Sequence, residues 1–264
     1  MKIIRNIPAG MKVLKDVIHY NKYKKPIDSA KASGDAEEER RLILEATSTF
    51  GPKIVEQFGC DLHVYGEENL PDEGPVVIMM NHQSYADIPI MFAVIRKFQF
   101  SFVAKQYLAK APLLGDWMPR IRTVFIENDD PREAMKAINQ GIEYINEGFS
   151  LAICPEGKRS RGPYVDSFMR GAIKLATKPG VPIIPVALNG TYHMFEETGV
   201  ASPARVDVKI FPMIPTAGIS RQEEKELITR LETMIREGVL ELAELQGDVP
   251  AGSASDVPAD STRE

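Results

Sequence analysis

Two segments of this chain hold residue types able to do chemistry. In Val76-Val77-Ile78-Met79-Met80-Asn81-His82-Gln83-Ser84-Tyr85-Ala86-Asp87, an apolar run empties into Asn-His, and an aspartate follows His82 by five residues. Histidine titrates near neutrality, so it can take up and release a proton under ordinary conditions. A carboxylate bonded to one imidazole nitrogen selects the tautomer and leaves the other nitrogen as a base. On one continuous helix, residues five apart are separated by about 140°. His82 and Asp87 can therefore meet only if His82 lies on a loop and Asp87 in the first turn of the next helix. Pro89 supports a helix start there. Ser84 has no elbow glycines around it, which argues against a nucleophilic serine. Two ligands without a third nearby make a poor metal site. A histidine that merely closes a strand, with Asp87 capping a helix, fits the same letters.

The second segment is Leu151-Ala152-Ile153-Cys154-Pro155-Glu156-Gly157-Lys158-Arg159-Ser160-Arg161. Again an apolar strand opens into a polar loop, here with three cations beside one carboxylate and a glycine. Arg159 can grip a phosphate bidentately, and Lys158 and Arg161 add positive potential. An anion site and a solvated basic loop are both compatible with this run. A third segment, Gly180-Val181-Pro182-Ile183-Ile184-Pro185-Val186-Ala187, is an apolar strand with two prolines. Proline has no N–H to donate, so an edge position or irregular pairing is expected. It would serve as a groove wall or as core.

These segments need a scaffold that brings strand ends together. Short β-branched or aromatic runs predict strands at Leu62–Tyr65, Val76–Met80, Phe100–Ala104, Thr123–Ile126, Ser150–Cys154, Ile183–Leu188 and Val206–Phe211. Helices are predicted at Ile90–Lys97, Pro131–Asn146, Phe168–Thr177 and Arg221–Glu244, with Asp130 capping the second. The alternation predicts an α/β fold: a mixed central sheet flanked by helices. Ahead of it, residues 1–25 are basic and amphipathic, with a helix expected from Met11 to Tyr23 because Pro8 and Gly10 break the first turns. Such a helix suits a membrane interface, and equally a core-packing face. A polar stretch from Lys31 is expected to lead into a helix at Asp35–Phe58, kinked or divided at Gly51-Pro52. The expected division is residues 1–58 as an N-terminal helical element, 59–245 as the α/β domain, and 246–264 as a disordered tail rich in Pro, Gly, Ser, Ala and Asp.

Composition narrows the function. The chain has 264 residues, 44% hydrophobic, and a net charge of -5, which argues against a general nucleic-acid binder. Its two cysteines, Cys60 and Cys154, have no zinc spacing and suggest no disulfide framework, so a reducing cytosolic face fits. No signal peptide and no apolar run of about 18 residues is evident, so an association with membrane would be peripheral or monotopic.

Together and in this order, the segments resemble the lysophospholipid (glycerophospholipid) acyltransferase family, which includes bacterial 1-acylglycerol-3-phosphate acyltransferases. Asn81, His82 and Asp87 match its Asn-His-x4-Asp motif. Pro155, Glu156, Gly157, Arg159 and Ser160 match its Pro-Glu-Gly-Thr-Arg-Ser motif. Phe168-Met169-Arg170-Gly171-Ala172 matches a Phe-x-x-Gly-Ala segment, and Val181-Pro182-Ile183-Ile184-Pro185-Val186 a Val-Pro-x-x-Pro-Val motif. The resemblance implies His82 as general base and Asp87 as its orienting partner, with Glu156, Gly157 and Arg159 on the acceptor's glycerol phosphate. It implies an acyl thioester donor on coenzyme A or acyl carrier protein, a lysophospholipid acceptor, and neither cofactor nor metal. It also implies a two-helix element that holds the N-terminus on an anionic membrane surface, at the cytoplasmic face of the cell membrane. Two positions depart from the pattern. Where the family ends a motif Phe-Ile-Asp-Arg, with the arginine on the acceptor phosphate, this chain has Phe125-Ile126-Glu127-Asn128. Asn128 takes that place, and Arg120 or Arg122 is the cation that could substitute. Lys158 replaces the usual threonine. The acceptor could accordingly be a different lysolipid, and the competing class is a non-catalytic lipid-binding protein on the same scaffold, against which the intact His82 and Asp87 count.

Overall fold

The computed structural model describes residues 2–112, 114–127 and 131–248. Three helices lead: α1 (Lys2–Tyr20), α2 (Lys24–Ser33) and α3 (Ala36–Gln57). There follow β1 (Asp61–Tyr65), β2 (Val77–Met80), α4 (Asp87–Val94), β3 (Phe100–Lys105), α5 (Leu114–Trp117) and β4 (Val124–Ile126). The chain continues through α6 (Pro131–Asn146), β5 (Ser150–Ile153), α7 (Lys174–Thr177), β6 (Ile183–Asn189), β7 (Arg205–Ile210) and α8 (Arg221–Gln246). The seven expected strands form one sheet in the order β1-β7-β6-β2-β5-β3-β4. Neighbours are parallel except β6 and β7. The carboxyl ends of β2, β5 and β6 therefore open on one rim.

Helices cover both faces of the sheet, which is why β2, β5 and β6 read as unbroken apolar runs. Val77 and Met79 join Leu151, Ile183 and the apolar stripes of α6, α7 and α8. Ile78 and Met80 point the other way, into a cluster with Ile90, Met91, Phe92 and Val94 of α4. A third cluster seats Tyr20, Tyr23 and Ile27 against Leu42, Ile43 and Ala46 of α3 and against Phe149.

Several elements differ from expectation for identifiable reasons. The helix at the start is unbroken from Lys2 through Pro8. Pro8 lacks the N–H for the carbonyl of Ile4, but Ile4 is exposed and water can serve that oxygen. The stretch around Lys31 is helix α2, closed by Gly34 in the left-handed region before Asp35 caps α3. Nor is α3 divided at Gly51-Pro52. A Cβ on Gly51 would stand 2.4 Å from the amide nitrogen of Ala93, so glycine is there to let α3 and α4 cross backbone to backbone. The helix expected over Ile90–Lys97 runs three residues earlier, and only Lys174–Thr177 of the Phe168–Thr177 stretch is α-helix, after a 3-10 turn at Arg170–Ile173. The proline-bearing strand β6 is not an edge strand: it lies between β2 and β7. Pro185 is tolerated because the regular β7 ladder ends at Val186, leaving Pro185 to accept from Phe211 N–H at 3.0 Å and owe no bond in return. Asp130 and Asn128, the expected cap and acceptor contact, lie outside the described residues, as does most of the expected tail.

Candidate active site

Strand β2 delivers Asn81 and His82 to the rim. The Asn81 side-chain amide pairs with both backbone groups of Leu188 in β6, at 2.9 Å each, which locks the loop to the neighbouring strand. His82 is then on a loop and Asp87 is the first residue of α4. Their side chains meet, with Nδ1 of His82 2.7 Å from Oδ2 of Asp87. The same oxygen accepts the N–H groups of Gln83 at 2.8 Å and Ser84 at 3.1 Å, and Oδ1 accepts the Thr191 hydroxyl at 2.5 Å. With Gln83, Ser84 and Thr191 all donating to the Asp87 carboxyl, the geometry suits the imidazole tautomer that donates from Nδ1. Among the described residues no group bonds Nε2, which is therefore the nitrogen able to take a proton.

Strand β5 delivers the second loop, and the two loops are stitched together. Glu156 accepts the N–H of His82 at 2.6 Å through one oxygen and that of Asp166 at 2.7 Å through the other. Ser160 N–H donates to the His82 carbonyl at 2.8 Å. Burial pushes the Glu156 carboxyl up to about 7, against the pull of the two N–H donors. Gly157 takes a φ of 70°, where a side chain would be strained. The Ser160 hydroxyl turns back to the Gly162 carbonyl at 3.0 Å, so it closes the loop on itself. Lys158 is exposed beside Asp166 at 3.3 Å.

Arg159 lies over the Tyr85 ring, 3.7 Å from its centroid, and donates to Glu196 at 2.8 Å. Glu196 also accepts Tyr85 N–H at 3.0 Å and the Ser84 hydroxyl at 2.5 Å. The cationic loop and the histidine loop thus converge on one buried carboxylate. Sequence reading missed Glu196 and Thr191, which arrive after the Asn189-Gly190 turn with no spacing motif to flag them. It also missed Gln83, which ties the rim to Asn189 at 2.9 Å and to Gly190 N–H at 3.1 Å. His193 also follows the Asn189-Gly190 turn but is engaged by Glu197 and Asp248, at 2.8 and 3.0 Å.

Arg122 is not part of this assembly. It precedes β4, at the opposite end of the parallel strands from the rim. Its guanidinium is consumed by Glu39 in a bidentate pair at 2.7 and 2.6 Å and by Glu147 at 3.0 Å, clamping α3 to the sheet. Arg120 is likewise held, by Asp28 and Asp116.

The acyltransferase family model matches residues 61–189, the span that contains both loops. A 1-acyl-sn-glycerol-3-phosphate acyltransferase from Borreliella burgdorferi is 31% identical over 178 residues, 67% of this chain and 71% of that protein. This chain belongs to the lysophospholipid acyltransferase family. The acyltransferase is also 33% identical over 131 residues to a chloroplastic 1-acyl-sn-glycerol-3-phosphate acyltransferase of Arabidopsis thaliana, of which it spans only 36%. The crystal structure of the 1-acyl-sn-glycerophosphate acyltransferase PlsC from Thermotoga maritima superposes with a TM-score of 0.69 at 28% identity, covering 92% of this chain and 98% of that one. The two chains share one fold over nearly their whole lengths. The enzyme is an O-acyltransferase, and among its described residues no helix is long and apolar enough to cross a membrane.

Proposed function

We propose that this acyltransferase moves a fatty acyl group from a thioester, on coenzyme A or acyl carrier protein, to the free hydroxyl of 1-acylglycerol-3-phosphate, giving phosphatidic acid. The observation that carries the reading is the His82–Asp87 pair at 2.7 Å with Nε2 unengaged, on the same rim as the guanidinium of Arg159. Nε2 takes the proton of the acceptor hydroxyl as its oxygen attacks the thioester carbonyl, a contribution of roughly 10²–10⁴-fold. Asp87 holds the tautomer and stabilises the imidazolium that forms. Collapse of the tetrahedral intermediate expels the thiolate, which recovers the proton from His82. The N–H groups of residues 82–87, the natural candidates for stabilising the oxyanion, are already bonded to Glu156, Asp87, Glu196 and Ser84. The oxyanion therefore draws on other donors, while the unengaged N–H groups of Arg159 receive the acceptor phosphate.

The membrane supplies the acceptor in this reading. Along α1, Ile4, Ile7, Met11, Leu14 and Ile18 follow one another at steps of three and four and are all exposed, beside Lys2, Arg5, Lys12 and Lys15. An apolar stripe flanked by cations suits insertion among anionic head groups. Thiol release measured across a panel of lysolipid acceptors, with both donor types, tests the assignment. Release that depends on 1-acylglycerol-3-phosphate is expected, and thioester left intact with every lysolipid would refute it.

A further inference from the structure

Glu196 sets more than loop geometry. It is 3% exposed and its partner Arg159 17%, so the carboxylate sits beneath the guanidinium with little solvent between. One nitrogen of the guanidinium, Nη1, is committed to Glu196, and the Tyr85 ring covers a face. Among the described residues the remaining N–H groups of Arg159 have no acceptor. An arriving phosphate must share this arginine with a carboxylate that is already there. The neighbouring cation Lys158 is in the same position, paired to Asp166 at 3.3 Å. Lys158 and Arg159 are thus each offset by one acid.

Such a site treats two classes of lysophospholipid differently. A phosphomonoester carries about 1.5 to 2 negative charges at neutral pH, whereas a phosphodiester carries one. The second charge is repelled by Glu196 at short range and through weakly screened surroundings. Resting on Arg159 as the contact for the acceptor phosphate, we propose that Glu196 is a specificity-determining residue: it tempers Arg159 so that a doubly charged acceptor phosphate gains less over a singly charged one than the unpaired arginine would give it. Ser84 and Tyr85, bonded to the same carboxylate, pass its position on to the loop that carries His82.

Glu196→Gln removes the charge and keeps the shape. The Gln carbonyl can still accept from Tyr85 N–H and Arg159, and its amide can donate to the Ser84 oxygen. The test compares short-chain 1-acylglycerol-3-phosphate with short-chain lysophosphatidylglycerol on the full chain. Affinity is measured by calorimetric titration without donor, and kcat/KM with it. The monoester-to-diester ratio should rise about tenfold in Glu196→Gln in both measurements. An equal change for both acceptors would reduce Glu196 to a structural tie and overturn the proposal, as would an unchanged ratio. Glu196→Asp, which restores the charge, should bring the ratio back toward that of the wild type. If the wild type releases no thiol with either lipid, the catalytic reading falls, while the titration ratio still decides the role of Glu196.

Discussion

The rim and the first helix break opposite rules of protein burial. At the rim, Asn81, Gln83, Ser84, Asp87, Asn189 and Thr191 are all fully buried, and each is hydrogen-bonded. Along α1, apolar side chains stand in solvent, with Ile4 70% and Met11 65% exposed. Buried polar groups cost stability unless paired, so a fully paired set holds one side chain in one orientation. An exposed apolar stripe gains nothing in water, so its value lies in a surface it meets. The same helix does pack where it must: Val17 and Tyr20 are buried, and buried Asp16 meets Lys53 at 2.5 Å. The contrast separates a region whose side chains are held in place from one whose apolar stripe stands open.

Four experiments test whether that contrast holds. The largest effect is expected from His82→Ala, which should lower kcat about 10²–10⁴-fold while acceptor and donor still bind. Turnover close to wild type would take the base away from the rim. The next concerns Glu156, whose carboxyl titrates at about 7 in the folded chain against 4.5 ordinarily. Between those values the folded state holds a proton that the unfolded state has released. The resulting stabilisation is complete below the unfolded value and lost as pH rises through about 7. Urea unfolding of wild type and Glu156→Gln should therefore diverge across that interval by on the order of 2–3 kcal/mol, and parallel pH profiles would show that its burial has no titration consequence.

On the other region, Ile7→Asp should cut co-sedimentation with anionic vesicles about tenfold, the equivalent of withdrawing one buried aliphatic side chain from lipid. Its Tm should barely move, since substitution at an exposed position usually shifts stability by less than about 0.5 kcal/mol. A large loss of stability would mean that the stripe is core after all. The smallest effect is expected at Thr191→Val, which leaves Asp87 short of one donor. Chemical denaturation should show a loss of about 1–2 kcal/mol, with kcat reduced severalfold. An unaltered kcat would show that the remaining donors position Asp87 without help.

What could be read in advance follows from the range of the interactions involved. Each strand was visible because a short apolar run between turn residues is a local pattern, and α6 was visible from its apolar stripe. The histidine–aspartate pair was legible too, since five residues are enough for a loop and one helical turn to close the contact. Local rules failed where the decisive partner is distant. Gly51 reads as a breaker until α4 arrives beside it, and Pro185 reads as an edge residue until the end of β7 is located. Arg122 reads as a candidate phosphate ligand until strand direction puts it at the far rim, against Glu39.

The amino-acid order was enough for the seven strands, the His82–Asp87 pair, the cationic loop and the amphipathic start, because each is a periodicity or a short spacing. Tertiary structure alone decided which strands are neighbours, and hence which loops share a rim. It brought Glu196 and Thr191 across more than a hundred residues to Ser84 and Asp87, and it left the stripe on α1 uncovered. The physical reason is that burial and charge pairing depend on distances in space, which chain separation does not encode.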